Sequence, residues 1–367
     1  MPMLTIPDDI KPKDGRFGSG PSRVPAAALA GLGAPGSVMG TSHRQAPVKS
    51  LVERVQQNLA ELYSMPDGYQ VVLGNGGSSQ FWDIATCCLI EHRSAHGVWG
   101  EFGRKFCSAV AAAPFLDSPT VDEAPMGAAA DVVAHDGCDV YAWPQNETST
   151  GVCAPVRRVT DDALILVDAT SSAGGMDADI AATDAYYFAP QKNFASDGGL
   201  WFACLSPAAL ERSARLVPTR WVPPSLDLTL AAENSALHQT PNTPALATLM
   251  LMDAQLTWLL ENGGIDFAVT RTEQSSGALY AWADAHSFVQ PFVANPAHRS
   301  PVVATLAFDD SVDAKELTSI LRANGIVDIE PYRSAGPNQI RVGCYAAVDP
   351  DDIQALIACL DWVIDRL

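Results

Sequence analysis

The sequence predicts an α/β fold with a mostly parallel sheet in a large domain, followed by a smaller C-terminal α+β domain. Three observations lead there. Short apolar runs, several of them continuously apolar, alternate with segments of helical periodicity, as in a sheet covered on both faces. The length of 367 residues is two to three times that of a usual domain. From about residue 262 the pattern changes to a compact alternation of short strands and helices. We therefore assign 1–261 to an N-terminal arm plus a large domain, and 262–367 to a small domain.

Residues 1–46 are rich in Gly, Pro and Ser and read as an extended arm with turns. A helix over 48–63 follows, because Val48, Leu51, Val52, Val55, Leu59 and Leu62 recur at helical spacing. The run 70–73 reads as a strand and 80–90 as an apolar helix. Further strands are expected over 139–143, 163–167, 185–188 and 200–205. Pro241-Asn-Thr-Pro244 opens a long helix to about 260, where proline at the first helical position suits a start. A second helix is expected over 265–286. The small domain then reads strand (301–308), helix (313–323), strands (326–330 and 339–345) and helix (350–366).

Composition excludes several functions. Apolar residues make up 47% and charged residues 18%, which supports a large core and argues against disorder. Asp and Glu outnumber Lys and Arg by 42 to 23, giving a net charge of −19. Such a field repels nucleic acid and anionic membranes, so neither is an expected partner. An anionic substrate must instead be gathered by locally clustered cations. The eight cysteines contain no C-x-x-C and lie mostly in apolar stretches, so we expect reduced thiols, no disulfide framework and no zinc site. No apolar run approaches a membrane-spanning length and the first residues lack a signal-peptide pattern, so the expected location is the cytoplasm.

Lys192 is the most informative residue. The chain has only six lysines (11, 13, 49, 105, 192 and 315), and this one stands in a Pro/Gly-punctuated turn between two strand-like runs. An ammonium presented there among apolar neighbours has a depressed pKa and becomes a nucleophile or base. A solvated loop lysine is the plain alternative. Asp168 directly follows another apolar run, at a strand's carboxyl end, where ligands of open α/β sheets bind. Gly74-Asn-Gly-Gly-Ser-Ser79, between strand and helix, is either an anion-binding helix start or a tight turn with a serine cap.

A carboxylate and a lysine at adjacent strand ends suit pyridoxal phosphate chemistry, with the acid on the pyridine nitrogen and the lysine on the aldehyde carbon. Ser19-Gly-Pro21, Ser42-His-Arg44, Gly77-Ser-Ser-Gln-Phe81, Asn146-Glu-Thr148, Asp168, Gln191-Lys-Asn193 and Asn242-Thr-Pro244 occur in one order, followed by an arginine-bearing segment at 333–341. In this the chain resembles the phosphoserine aminotransferase family, class V, fold-type I pyridoxal phosphate enzymes, over nearly its whole length.

The resemblance implies roles. Lys192 matches the Schiff-base lysine, Asp168 the partner of the pyridine nitrogen and Thr148 the residue on the 3-oxygen. Ser78, Ser79 and Gln191 match ligands of the cofactor phosphate, and Phe102 the aromatic stacked on the ring. Asn242 and Thr243 match a pair that completes the phosphate cup of the neighbouring subunit, which implies a homodimer with shared active sites. His43 and Arg44 match a substrate-binding pair that also reaches across. Arg341 matches the arginine that grips the α-carboxylate, Ser19 a substrate-contacting serine and Arg333 a phosphate-binding arginine. Here the sequence departs from the family, which shows His-Arg where this chain has Tyr332-Arg333, with a longer spacing to Arg341. The implied reaction is ping-pong transfer between glutamate and 3-phosphohydroxypyruvate in serine synthesis, with the related ketoacid of vitamin B6 synthesis as a further candidate. Rival readings are another class V enzyme, such as an alanine–glyoxylate aminotransferase, and a non-catalytic protein that binds phosphorylated metabolites.

Overall fold

The computed structural model describes residues 4–333, 336 and 338–367. After a short helix α1 (Ala26–Leu32), α2 (Ala46–Leu62) leads into β1 (Gln70–Asn75), α3 (Ser78–Cys88), β2 (Ser94–Val98), α4 (Glu101–Ala111) and β3 (Thr120–Glu123). Then come β4 (Val140–Pro144), a small ribbon of β5 (Asn146–Glu147) and β6 (Val152–Cys153), β7 (Leu164–Asp168), β8 (Ala185–Phe188) and β9 (Leu200–Leu205). Helices α5 (Pro207–Leu216), α6 (Leu228–Ser235), α7 (Leu246–Glu261) and α8 (Gly264–Asp284) follow. The chain closes with β10 (Val289–Pro291), β11 (Val303–Phe308), α9 (Ala314–Ala323), β12 (Gln339–Gly343) and α10 (Pro350–Ile364).

Seven strands form the main sheet in the order β1-β9-β8-β7-β4-β2-β3, and only β9 runs against the others. Alternate residues of one strand enter opposite cores. Phe202 and Cys204 of β9 join the cluster under α2 and α7, whereas Trp201, Ala203 and Leu205 join the one under α3 and α6. That two-sided burial explains why these strands are apolar at every position rather than at every second one. The six α2 residues that set its helical spacing are all buried in this first cluster, alongside Leu249, Met252 and Leu256 of α7. Each such aliphatic side chain contributes about 1.5–3 kcal/mol when fully buried.

The three-stranded antiparallel sheet β10-β11-β12 forms a third core with α9, α10 and the end of α8. Ile6 and Phe17 from the arm insert into that same core, so the start of the chain packs on its end. Among the described residues no helix is long and apolar enough to cross a membrane.

Several local expectations are corrected. The arm contains helix α1. Helix α3 begins at Ser78, two residues before the expected start. Pro244 precedes the Ala245 cap of α7 rather than occupying its first turn. No strand forms over 326–330, because the arm takes its pairing. Val327 donates to Gly15 O (2.8 Å) and its carbonyl accepts from Phe17 N (3.3 Å), while Ile326 and Ile329 face the third core. Strands β2 and β3 and helix α4 went unmarked, since Ser94-Ala-His-Gly-Val98 is not an apolar run although every residue in it is buried.

Candidate active site

Strands β4, β7 and β8 are parallel neighbours, so their carboxyl ends bring Pro144, Asp168 and the turn after Phe188 to one edge of the sheet. Lys192 stands in that turn, 8% exposed. Its Nζ donates to Ser19 O at 2.7 Å, and Tyr345 Oη donates to the same carbonyl at 2.6 Å. Burial, followed by the charge of Arg341, lowers its pKa against the smaller raising effects of Asp168 and Glu147. The result is about 7. Such an amine is substantially neutral near pH 7 and can act as nucleophile and base. Gly20 has a φ of +148°, and a Cβ there would run into the Lys192 ammonium, so the arm needs glycine where it crosses the lysine.

Asp168 ends β7. Its carboxylate accepts from Trp82 Nε1 (3.2 Å), Thr170 N (2.9 Å) and Thr170 Oγ1 (2.5 Å). Burial raises its pKa, and these donors oppose the rise. Thr170 Oγ1 also lies 2.6 Å from Ser78 Oγ at the start of α3, which ties the acid to the glycine loop.

A cavity of about 330 Å³ opens between these groups, lined among others by Ser78, Ser79, Phe102, Thr148, Asp168 and Lys192. It fits a phosphorylated pyridine. Helix α3 starts on Gly77 with no side-chain cap, so its first N–H groups are available to an anion. Buried Gln191 Oε1 and Asn146 Oδ1, from residues of the cavity wall, lack hydrogen-bond partners in the protein alone. Thr148 Oγ1 is held 2.7 Å from Ser171 Oγ, and the Phe102 and Trp82 rings supply apolar walls.

Phe102 is placed by a buried carboxylate. Glu147 accepts from Phe102 N (3.1 Å), Gly103 N (3.0 Å) and Ser149 Oγ (2.6 Å), and so caps the start of α4. Arg341 on β12 reaches the same region. Its Nη1 donates to Thr148 O at 2.7 Å, its buried Nε lacks a partner and its guanidinium lies 5.2 Å from the Tyr332 ring centre. Burial lowers its pKa. Ser19 Oγ is also buried without a partner.

Ser19, Ser78, Ser79, Phe102, Thr148, Asp168, Gln191, Lys192 and Arg341 are thus brought to one edge of the molecule. His43, Arg44, Asn242 and Thr243 are not among the residues lining the cavity. They form a second cluster, in which Thr243 Oγ1 is 3.2 Å from His43 Nδ1 and Arg44 donates to Gln239 Oε1 (2.5 Å) and Pro241 O (2.9 Å). Arg333 is exposed beside Tyr332, and Ser334, Ala335 and Pro337 of the atypical spacing lie outside the described residues. Sequence reasoning missed Trp82, Thr170, Glu147 and Tyr345. Trp82 was findable, because it follows Ser78 by four residues on one helix face.

The family profile described as Aminotransferase class-V matches residues 32–356. The chain belongs to the class-V aminotransferases. It is a pyridoxal phosphate-dependent transaminase of fold type I. Among its relatives, a phosphoserine aminotransferase of Nocardioides sp. is 55% identical, covering 99% of each chain. A Mycolicibacterium vanbaalenii protein, named phosphoserine aminotransferase provisionally, is 57% identical over 99% of each chain. In fold the chain is similar to the solved phosphoserine aminotransferase from Bacillus circulans subsp. alkalophilus, with a TM-score of 0.86 at 19% identity, covering 96% of this chain and 99% of that one.

Proposed function

We propose that this transaminase moves an amino group between glutamate and 3-phosphohydroxypyruvate, giving 2-oxoglutarate and 3-phosphoserine. The observation that carries the reading is a buried lysine of lowered basicity sharing a cavity with Asp168 and in electrostatic reach of Arg341. It stands in a chain that is 55% identical, end to end, to a protein named phosphoserine aminotransferase. Bound pyridoxal phosphate supplies an electron sink for the charge that develops at the substrate Cα. The residues suited to hold it are Ser78, Ser79 and Gln191 at its phosphate, Thr148 at its 3-oxygen, Asp168 at its ring nitrogen and Phe102 beside its ring.

The protein's own groups then do three things. Lys192 Nζ removes the proton from the substrate Cα and returns it on the other side of the transferred nitrogen. Asp168 keeps a proton on the ring nitrogen, which requires a carboxylate with no competing cation in contact. Arg341 orients the α-carboxylate through its fork of donors. Each half-reaction leaves before the next substrate enters, so initial-rate lines at fixed second substrate should be parallel. Converging lines would exclude this order.

As part of the same reading, two chains share each site. His43 and Arg44 then serve the partner's substrate, and Asn242 and Thr243 its cofactor phosphate. We also infer the domain division at 261/262, supported by the separate cores around the two sheets. The phosphorylated ketoacid of vitamin B6 synthesis is a further substrate on this reading. A coupled assay of 2-oxoglutarate consumption with phosphoserine, alanine and serine as donors tests the assignment. Phosphoserine should lead by orders of magnitude in kcat/KM, and a preference for alanine would replace the reading with an alanine-specific one.

A further inference from the structure

The departure from family pattern at Tyr332 has a structural counterpart on α4. Lys105 lies one turn beyond Phe102, and its Nζ is 3.2 Å from Tyr332 Oη and 3.2 Å from Glu101 Oε1. The Tyr332 ring centre is in turn 5.6 Å from that of Phe102 and 5.2 Å from the Arg341 guanidinium, with the Lys105 ammonium at 5.9 Å. One aromatic ring therefore joins the cavity wall, an inner arginine and an outer lysine. Arg341 is mostly buried, whereas the Lys105 side chain is about half exposed, at 48%. Two cations at different depths against one ring suit a substrate with an anionic group at each end.

We propose that Lys105, held against Tyr332, receives the distal phosphate of the substrate and sets the preference for phosphorylated over carboxylate-ended substrates. This rests on the phosphoserine reading above. In the resting protein Lys105 shares its charge with Glu101 in an i,i+4 pair exposed to solvent, an interaction of small net strength. A phosphate monoester carries nearly two charges and three acceptor oxygens, so it outcompetes a single carboxylate for the ammonium. A substrate ending in one carboxylate gains little from the same exchange. Tyr332 Oη contributes twice. It holds Nζ in place before substrate arrives, and, accepting from Lys105, it keeps its own proton free to donate to a phosphate oxygen. Arg333, next in the chain and exposed, adds positive charge to the same rim. Among the described residues Glu101 is the carboxylate that pairs with Lys105 there, and Glu147, buried beneath Phe102, is the one acting on Arg341.

Steady-state kinetics of the holoenzyme with phosphoserine and with glutamate decide the matter. Lys105→Gln should raise KM for phosphoserine about tenfold to a hundredfold, the loss of a hydrogen bond to a charged group. It should leave kcat and the KM for glutamate within about twofold, the pattern of a group acting in binding alone. Lys105→Arg should recover most of the loss, and Tyr332→Phe should fall between. An unchanged phosphoserine KM in Lys105→Gln, or equal shifts for both substrates, overturns the assignment and leaves the phosphoserine reading standing. A wild-type enzyme that does not use phosphoserine overturns both.

Discussion

The Lys192 cavity and the His43–Arg44 cluster hold the two sets of candidate residues, and they are built on opposite terms. In the cavity, Lys192, Asp168 and Thr148 are buried and fixed by short bonds within the chain, and the loss of water lowers the pKa of Lys192 and raises that of Asp168. In the cluster, Arg44, Asn242 and Thr243 are exposed, with Arg44 bonded to Gln239 Oε1 and Pro241 O and Thr243 to His43. Groups that must change protonation state need a low-dielectric setting to tune them. Groups that only lend charge or a hydrogen bond can wait at the surface for whatever docks there.

Removing the cavity's tuned amine should have the largest effect. Lys192→Met should lower kcat by at least about 10³-fold, the scale of a general base at this step, while circular dichroism stays native. Residual activity near the wild-type value would move the base elsewhere. The sharing of sites can be broken next. Lys192→Ala and Arg44→Ala are each expected to be inactive alone, yet a refolded mixture should recover roughly a quarter of wild-type activity, from one intact site in each hybrid dimer. No recovery on mixing would confine each site to a single chain.

A smaller effect concerns stability and pH. Because folding depresses the Lys192 pKa from 10.5 to about 7, the unfolded chain binds the extra proton between those values. The contribution of Lys192 to unfolding free energy therefore rises with pH from about 7 to 10.5 and is lost as pH falls through 7. Urea midpoints of the cofactor-free protein at pH 7.5 and 9.5 should show a positive slope difference between wild type and Lys192→Met. An identical pH dependence would mean that the amine is not desolvated. Smallest is the cap on α4. Glu147→Gln removes an acceptor from a buried helix start and should cost about 1–3 kcal/mol in urea unfolding. The equivalent change at exposed Asn242, Asn242→Asp, should leave the midpoint unmoved.

Much of this was legible in the residues themselves. Lys192, Asp168 and the glycine loop carry local signals: an isolated lysine in a turn, an acid after an apolar run, glycines before a helix. Fully apolar strands such as β8 and β9 revealed a two-sided sheet. What stayed hidden depends on long-range pairing. Residues 326–330 have a strand-like pattern, but the arm, over 300 positions away in sequence, takes the backbone pairing of Val327. Strand β2 lies inside the sheet, between β4 and β3, without being an apolar run, because His96 is buried against Phe106 and bonded to Ser94.

The sequence alone determined the α/β class, the position of the amine and its acid, and the scarcity of cations that makes each clustered one informative. These follow from composition and short-range spacing, which the chain carries without folding. Only the tertiary structure decided that Ser19 O holds Lys192, that Glu147 seats Phe102, and that Tyr332 links Arg341 to Lys105. Three of those contacts, Phe102–Glu147, Ser19–Lys192 and Lys105–Tyr332, join residues 45, 173 and 227 positions apart, and no local pattern encodes a distance that folding alone brings to a few ångströms.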